Sequence, residues 1–305
     1  MSKHFLLPTF VIFLCLLFAA CAQAAPTATP LPTAIPTATA TTAPTETPTP
    51  EALATATAAT TAQAVSEVEF FVPQVLSVRP HDTDAFTQGL LWYEGSLYES
   101  TGQVGESNVR EVNPETGEVL RQIDVPDVFG EGLALVDGRL IEITWRDEIA
   151  FVYDLETFSS VGSFTYTGEG WGLCYDGEKI VMSDGSANLF FRDPETFELI
   201  GQVPVTLNGA PVTNLNELEC VDDQVYANVW LTNSIMRIDA ATGSVTAVID
   251  ATGLLTPEEA AQAGSNGVLN GIAYVPEDDV FFITGKLWPR MFEVQFVPAE
   301  GDAVG

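Results

Sequence analysis

The chain has 305 residues, with 42 acidic and 11 basic side chains, and its formal net charge is −31. A surface this acidic repels a phosphate backbone, which excludes a nucleic-acid partner, and it favours solubility outside the cell. From Val68 onward aromatic and β-branched residues dominate, and this stretch of roughly 235 residues is long enough to bury one hydrophobic core.

The N-terminus has the pattern of an export signal. A charged start precedes an apolar run over residues 5–20 that is too short for a comfortable membrane span. We therefore predict a signal peptide over residues 1–20, followed by a bacterial lipoprotein-like box with Cys21 as the lipidated residue. Ordinary cleavage near Ala25 is the alternative. The predicted location is extracytoplasmic, with the lipid anchor as the only contact with the membrane.

Residues 21–67 consist mainly of Thr, Ala and Pro. This segment has almost no large apolar side chain, so burial cannot offset the entropy that is lost on ordering, and we predict a disordered tether. The tether would hold a folded domain of residues 68–299 away from the membrane. Residues 300–305 form a short tail.

Five similar segments recur along the folded part. Each has an apolar residue two places after a shared position, and the intervals between successive shared positions are 43, 40, 45 and 54 residues. The residues at the shared position are Gln88, Glu131, Trp171, Asn216 and Asn270. Periods near forty residues are typical of blade-like repeats.

Turns in the second half of the repeats are flanked by strands of alternating hydrophobicity. These turns begin at Asn113, Asp154, Asp193 and Asp239. Four short antiparallel strands per repeat predict an all-β fold, a five-bladed β-propeller. The last repeat is one strand short, and the spare strand over residues 68–78 would complete it and close the ring. One helix is predicted in the longest interval, with Thr256 as its N-cap and Pro257 at its first position.

Two sets of positions should meet at one mouth of the central channel. In a blade, the start of the first strand and the end of the antiparallel second strand share a face of the disc. The starts carry the five residues above, with Phe86 and Phe129 just upstream. The second strands end at Gly102, Trp145, Gly185, Trp230 and Lys286. Single tryptophans often only pack between blades, but their common register with a lone lysine favours an aromatic binding pocket with a few polar groups.

Seven motifs follow one another over about residues 75–294. They are FTQGL (86–90), YESTG (98–102), FGEGL (129–133), EGWGL (169–173), LNELE (215–219), ANVW (227–230) and TGKLWP (284–289). Together they resemble the plant-type glutaminyl cyclases, also called glutamine cyclotransferases. The resemblance implies a five-bladed propeller that converts the N-terminal glutamine of peptides into pyroglutamate with loss of ammonia.

The same resemblance implies the roles of individual residues. It makes Glu131 the catalytic acid and base. It implies that the substrate is bound by Phe86, Gln88, Phe129, Trp145, Trp171, Asn216, Trp230 and Lys286. Burial among aromatic rings should raise the pKa of Glu131 and Lys286 should lower it, and the sequence leaves open which effect dominates.

No cofactor or catalytic metal is expected. The only histidine after the tether is His81, which we place at the surface or in a turn, so a His-rich zinc site is not available. The sequence leaves open whether carbonyl and carboxylate oxygens hold a structural calcium ion. Cys174 and Cys220 either form a disulfide or remain two buried thiols. The closed ring predicts a monomer.

Two other functions compete with the cyclase. A divalent cation bound by Glu131, Asn216 and Asn270 would make a propeller lactonase or hydrolase, although the aromatic crowding and Lys286 oppose a cation there. A surface-displayed propeller that only binds a partner follows from the fold alone. Release of ammonia from a glutaminyl peptide, with and without a chelator, separates the three.

Overall fold

A computed structural model describes residues 67–299 of the chain. These residues form an all-β fold with one short helix, and that helix is not long and apolar enough to cross a membrane. The predicted signal peptide, Cys21, the tail over residues 300–305 and all of the tether except Glu67 lie outside the described residues.

Three antiparallel four-stranded sheets follow the first strand, β1 (Glu69–Pro80), in chain order. The first comprises β2 (Thr87–Tyr93), β3 (Ser96–Thr101), β4 (Asn108–Val112) and β5 (Val119–Asp124). The second comprises β6 (Gly130–Val136), β7 (Arg139–Thr144), β8 (Ile149–Asp154) and β9 (Ser159–Thr165). The third comprises β10 (Leu173–Tyr175), β11 (Ile180–Met182), β12 (Asn188–Arg192) and β13 (Leu199–Pro204). A small hairpin then pairs β14 (Thr206–Leu207) with β15 (Ala210–Pro211).

The largest sheet has eight strands. Besides β1 it contains β16 (Leu215–Val221), β17 (Gln224–Val229), β18 (Ser234–Asp239), β19 (Val245–Asp250), β20 (Leu269–Val275), β21 (Val280–Gly285) and β22 (Arg290–Pro298). The spatial order is β16-β17-β18-β19-β1-β22-β21-β20. β1 lies antiparallel beside β22, with Val75 opposite Val294, and so completes the last repeat as predicted. The start of β1 also pairs in parallel with β19, with Phe70 opposite Val248, which the sequence did not indicate.

The predicted turns and helix are present. In each turn the side-chain Oδ1 of the first residue accepts a hydrogen bond from the backbone N–H three residues further on, at distances between 2.7 and 3.1 Å. These first residues are Asn113, Asp154, Asp193 and Asp239. The helix α1 (Pro257–Ala263) begins with a capping box of Thr256 and Glu259. Each of these structures is held by bonds between residues close in the chain.

The first strands of successive repeats contact one another in a closed cycle. β2 contacts β6, β6 contacts β10, β10 contacts β16, β16 contacts β20, and β20 contacts β2. The strands pass so closely that a Cβ atom on Gly89 would lie 2.5 Å from the backbone nitrogen of Leu133, and one on Gly172 would lie 1.9 Å from the backbone oxygen of Asn216. Glycine follows the shared position in four of the five repeats. Close approach explains Gly89, Gly132 and Gly172, whereas Gly271 has a φ of 122°, which favours glycine.

The remaining repeat has Glu217 at this glycine position. Its side chain is buried, and Oε1 accepts a hydrogen bond from the backbone N–H of Leu90 on β2 at 3.2 Å. The side chain therefore links β16 to β2. Burial, with a smaller contribution from repulsion by Glu219, raises the pKa of Glu217 well above its ordinary value.

Glu217→Gln is expected to make the free energy of unfolding less dependent on pH. A carboxyl whose pKa is raised by folding binds its proton more tightly in the folded state, so stability falls as the pH rises above the ordinary carboxyl pKa. Glutamine does not ionise, and it keeps an oxygen that can accept the hydrogen bond from the Leu90 N–H. Urea unfolding of both proteins at about pH 5 and about pH 9 checks this.

The exposed carboxylate of Glu118 provides the matched control for this experiment. Glu118→Gln makes the same chemical change at a solvated position, and this variant should follow the pH dependence of the wild type. Equal pH dependence of Glu217→Gln and the wild type would contradict the prediction.

Cys174 on β10 and Cys220 on β16 form a disulfide, with their Cα atoms 5.5 Å apart. Of the two alternatives left open by the sequence, the structure therefore contains the disulfide. It joins the third sheet to the largest sheet, within a core cluster that includes Leu189 and Leu218. Such bonds persist in oxidising compartments.

His81 is buried, so its predicted place at the surface is wrong. Its Nδ1 lies 2.7 Å from the backbone oxygen of Trp288 and its Nε2 lies 3.1 Å from Oε1 of Glu99. Glu99 also accepts hydrogen bonds from Thr87 Oγ1 at 2.6 Å and from Nη2 of Arg110 at 2.7 Å. The loop after β21 covers His81 because β22 pairs with β1, a contact between opposite ends of the folded part.

Candidate active site

An open cavity of about 220 Å³ lies where the starts of the first strands meet the ends of the second strands. It is lined by Phe86, Gln88, Phe129, Glu131, Trp145, Trp171, Trp230 and Lys286. These are eight of the nine residues that the sequence indicated for catalysis and substrate binding. The largely aromatic lining with a few polar groups is typical of a site for a small molecule or one peptide residue.

Five aromatic side chains form the wall of the cavity in two groups. In the first, the ring centres of Phe86 and Phe129 are 6.0 Å apart, and those of Phe129 and Trp145 are 5.6 Å apart. In the second, Trp171 and Trp230 meet edge to face at 5.5 Å. Edge-to-face packing of this kind stabilises aromatic pairs and fixes the orientation of the rings.

Glycines at the ends of two second strands make room for these rings. A Cβ atom on Gly102 would lie 2.3 Å from the ring of Phe129, and one on Gly185 would lie 2.7 Å from the ring of Trp171. The alternation of glycine and tryptophan at this repeat position therefore has a steric cause. Gly102 leaves space for the ring of Phe129, and Gly185 leaves space for the ring of Trp171.

Gln88 connects the polar groups at the base of the cavity. Its Nε2 donates a hydrogen bond to Oε1 of Glu131 at 3.2 Å. Its Oε1 accepts hydrogen bonds from Nζ of Lys286 at 2.6 Å and from Nδ2 of Asn270 at 3.3 Å. Two donors on the oxygen and a carboxylate at the nitrogen fix the orientation of this amide.

Burial controls the protonation of Glu131, which is 6% exposed. Removal from water raises its pKa well above the ordinary value, Lys286 lowers it by a smaller amount, and the negative charges of Glu169 and Glu142 add to the rise. Burial therefore outweighs the lysine, which answers the question that the sequence left open. Such a carboxyl keeps its proton at a pH where an exposed glutamate has lost it, as an acid–base catalyst requires.

Lys286 is also removed from water. Burial lowers the pKa of its ammonium group to about 8, against the attraction of Glu131. Nζ lies 4.8 Å from the centre of the Phe86 ring, within the range of a cation–π contact. The lysine can thus supply a positive charge to the cavity or lose it within a narrow range of pH.

Asn216 does not line this cavity, although its residue type and repeat position predicted a contact with substrate. Its side chain is buried, and Oδ1 has no hydrogen-bond partner among the residues that the structure describes. Asn270, also at the shared position, is likewise absent from the lining, and its Nδ2 donates to the backbone oxygen of Thr87 at 2.9 Å. A direct role for Asn216 in binding the substrate stays a prediction.

Glu169 is a residue near the cavity for which the sequence indicated no role. Nε1 of Trp145 and Nε1 of Trp171 both donate hydrogen bonds to its Oε2, at 2.9 Å and 3.1 Å. Nε of Arg146 donates to its Oε1 at 2.9 Å. The available signal was its position two residues before the tryptophan of the EGWGL motif, at the start of a first strand.

A metal site is not apparent in the described part of the chain. Over residues 67–299, no group of three or more His, Cys, Asp and Glu side chains is placed to hold a metal ion. The expectation of a reaction without a catalytic metal stays a prediction, which activity in the presence of a chelator tests.

Comparison with known proteins adds a family to this geometry. The sequence model described as glutamine cyclotransferase matches residues 49–296. The glutaminyl-peptide cyclotransferase of Arabidopsis thaliana is 41% identical over 237 residues, which cover 74% of this chain and 72% of the plant protein. The crystal structure of Myxococcus xanthus glutaminyl cyclase superposes with a TM-score of 0.73 at 40% identity, and the match covers 77% of this chain and 100% of that one.

Proposed function

This chain belongs to the glutamine cyclotransferase family, and from that premise we propose that it is a glutaminyl-peptide cyclotransferase. Its substrates are peptides or proteins with an N-terminal glutamine, and its products are pyroglutamyl peptides and ammonia. The observation that carries the proposal is the placement of the buried carboxyl of Glu131 at the base of an aromatic cavity, hydrogen-bonded to Gln88.

The proposed reaction is an intramolecular aminolysis. The neutral α-amine of the substrate attacks the carbon of its own γ-carboxamide, a new C–N bond closes a five-membered ring, and the old C–N bond breaks to release ammonia. Because both groups belong to one residue, the enzyme has only to hold the side chain folded toward the amine. The aromatic wall serves this purpose and keeps water from the reacting atoms.

Glu131 moves the proton that this reaction transfers. As a carboxylate it accepts a proton from the attacking amine, and as a carboxylic acid it donates that proton to the departing nitrogen. Burial favours the protonated form of Glu131, which donates to the departing nitrogen, and the nearby Lys286 opposes the rise in pKa and so favours the carboxylate that accepts from the amine. The Gln88 amide and the Lys286 ammonium lie next to this carboxyl and can offer hydrogen atoms to the negative oxygen of the tetrahedral intermediate.

We also infer a five-bladed β-propeller closed by β1. The closed cycle of contacts among β2, β6, β10, β16 and β20 supports five units around one axis. Three units are four-stranded sheets, and the largest sheet contains two further sets of four, in which β1 serves as the fourth strand of the last set. A ring joined in this way has no exposed sheet edge at its closure.

Export of the protein is a further part of the proposal. The signal-like start, the lipoprotein-like box at Cys21 and the Thr/Ala/Pro-rich segment support a domain that is tethered outside the cytoplasm. The disulfide between Cys174 and Cys220 supports an oxidising compartment. Labelling with a radioactive fatty acid, compared between the wild type and Cys21→Ser, tests the anchor.

Ammonia release from a synthetic glutaminyl peptide is the direct test of the function. The full-length protein should release one equivalent of ammonia and form a product lighter by the mass of ammonia. The same peptide with an acetylated α-amine should not react, because it has no free nucleophile. Failure to release ammonia would favour a protein that only binds, and loss of activity with a chelator that a divalent cation restores would favour the metal-dependent alternative.

Lys286→Met is expected to lower kcat and to move the acid limb of the pH–rate profile to higher pH. The ammonium lowers the pKa of Glu131, so its removal leaves burial unopposed and keeps the carboxyl protonated over a wider range. Activity that requires the carboxylate then begins at a higher pH. Initial rates measured across the pH range with one peptide check this. Ionisation of the substrate amine affects the pH–rate profiles of both proteins equally, so a difference between the profiles comes from the enzyme. An acid limb that stays in place or moves to lower pH would contradict the prediction.

A further inference from the structure

The aromatic wall of the cavity has a gap that no ring closes. Phe86, Phe129 and Trp145 form one series of contacting rings, and Trp171 and Trp230 form another. Among the described residues no aromatic pair joins the two series. A wall that must hold a folded glutamine side chain therefore needs another group to set the angle between Trp145 and Trp171.

Glu169 occupies this position between the two series. A single oxygen, Oε2, accepts hydrogen bonds from the indole nitrogens of both Trp145 and Trp171. The other oxygen, Oε1, accepts a hydrogen bond from Arg146, whose guanidinium also lies over the Trp145 ring at 3.7 Å from its centre. Both oxygens are engaged, so the carboxylate is not free to bind the substrate amine directly.

The backbone holds the same loop against Trp145. The N–H of Gly170, the residue after Glu169, donates to the backbone oxygen of Trp145 at 3.0 Å. The N–H of Gly168, the residue before Glu169, donates to Oε1 of Glu148 at 2.9 Å. Glu169 is thus attached on both sides to the loop that follows β7, and its carboxylate reaches both indoles from a fixed point.

We propose that Glu169 is a positioning residue of the cyclisation reaction, which joins the indoles of Trp145 and Trp171 into one continuous wall that folds the substrate glutamine toward Glu131. The proposal rests on the proposed function for its kinetic consequences. The hydrogen bonds to the indoles do not depend on that function, so the geometry can be tested separately.

The charge of Glu169 has a second effect on the same site. Burial would raise its pKa, but the hydrogen bonds from Trp171, Trp145 and Arg146 outweigh burial, so the pKa lies below the ordinary value and the group is ionised. This negative charge contributes to the raised pKa of Glu131. The other charged or titratable groups that act on Glu131 are Lys286, which lowers its pKa, and Glu142, which raises it.

Two substitutions separate the hydrogen bonds from the charge. Glu169→Gln keeps one oxygen that can accept both indole N–H groups and removes the charge. Glu169→Ala removes both. The matched control is Asp147→Asn, which removes an exposed charge on the loop after Trp145.

Kinetics of the full-length protein with one glutaminyl peptide provide the first measurement. Glu169→Ala should lower kcat/KM by about tenfold to a hundredfold, because the misplaced indoles no longer hold the substrate in the reactive geometry. Glu169→Gln should keep most of kcat/KM at its optimum. The acid limb of the pH–rate profile of Glu169→Gln should shift to lower pH, because removal of the negative charge lowers the pKa of Glu131. Lys286→Met should shift the same limb to higher pH.

Near-ultraviolet circular dichroism provides a measurement that does not depend on activity. The tryptophan signal should change in Glu169→Ala and should stay close to that of the wild type in Glu169→Gln and Asp147→Asn. Equal losses of activity in the Gln and Ala variants, or a kcat/KM for Glu169→Ala that matches Asp147→Asn, would overturn the proposal. If the wild type releases no ammonia, the proposed function fails, and the dichroism of the two Glu169 variants still decides whether the carboxylate orders the indoles.

Discussion

Glu131→Gln is expected to lower kcat for cyclisation about 10³-fold while the protein remains folded. Glutamine has the shape of glutamate and can still accept the hydrogen bond from Gln88, but it cannot take up the proton of the attacking amine. The substitution should not reduce stability, because burial already disfavours the ionised form of this carboxyl. Initial rates of ammonia release together with the urea unfolding midpoint give both quantities.

Glu219→Gln is the control for this prediction. Glu219 is another carboxyl whose pKa burial raises, to about 8, and its Oε1 accepts a hydrogen bond from the backbone N–H of Tyr274 at 2.8 Å. It does not line the cavity, so its replacement should leave the rate close to that of the wild type. If Glu131→Gln kept more than about a tenth of the wild-type rate, the proton-transfer role would be refuted.

Glu99→Ala is expected to lower the free energy of unfolding by about 3–5 kcal/mol. Its carboxylate is 1% exposed and accepts hydrogen bonds from Arg110, His81 and Thr87. Removal of Glu99 takes the acceptor from Nε and Nη2 of the buried Arg110 and leaves its guanidinium with Asp82 alone, bonded at Nη1 at 2.8 Å. Urea unfolding at neutral pH measures the loss.

The pH dependence of this contribution has the opposite sign to that of Glu217. Burial would raise the pKa of Glu99, but Arg110 and His81 outweigh it and hold the pKa far below the ordinary value. A carboxyl with a lowered folded pKa stabilises the fold above its unfolded pKa, and this stabilisation is lost as the pH falls below that value. The wild type should therefore lose its advantage over Glu99→Ala in acid.

Glu115→Ala provides the comparison with an exposed ion pair. Glu115 pairs with Arg79 at 2.6 Å, but its side chain is 61% exposed. A solvated pair of this kind contributes less than about 1 kcal/mol. An equal loss of stability in Glu99→Ala and Glu115→Ala would contradict the proposed importance of the buried cluster, and Glu99→Gln, which keeps the shape of the side chain, can be measured if the alanine variant does not fold.

Local structure could be predicted because it depends on residues close in the chain. An Asx turn needs only a side-chain oxygen and an N–H three residues away, and the capping box of Thr256 and Glu259 spans the same distance. The pairing of β1 with β22 was predictable for another reason, since the last repeat lacked one strand and the first strand had no partner in its own repeat.

Most of the residues that line the cavity could be predicted because the repeat position of a residue determines where its Cβ atom lies in the fold. It does not determine how far the side chain reaches. Gln88 and Glu131 line the cavity, whereas Asn216 and Asn270, which occupy the same repeat position and have one methylene group fewer, are buried and do not line it. Glu169 was missed because its role consists of contacts with two rings rather than of a repeat position.

By itself, the sequence determined which residue stands at each repeat position, and with it the all-β class, the family and the eight residues that line the cavity. Only the tertiary structure decided the burial of His81, the disulfide between Cys174 and Cys220, and the predominance of burial over the charge of Lys286 in raising the pKa of Glu131. These properties depend on distances between residues far apart in the chain and on the exclusion of water. Neither spacing nor periodicity contains that information.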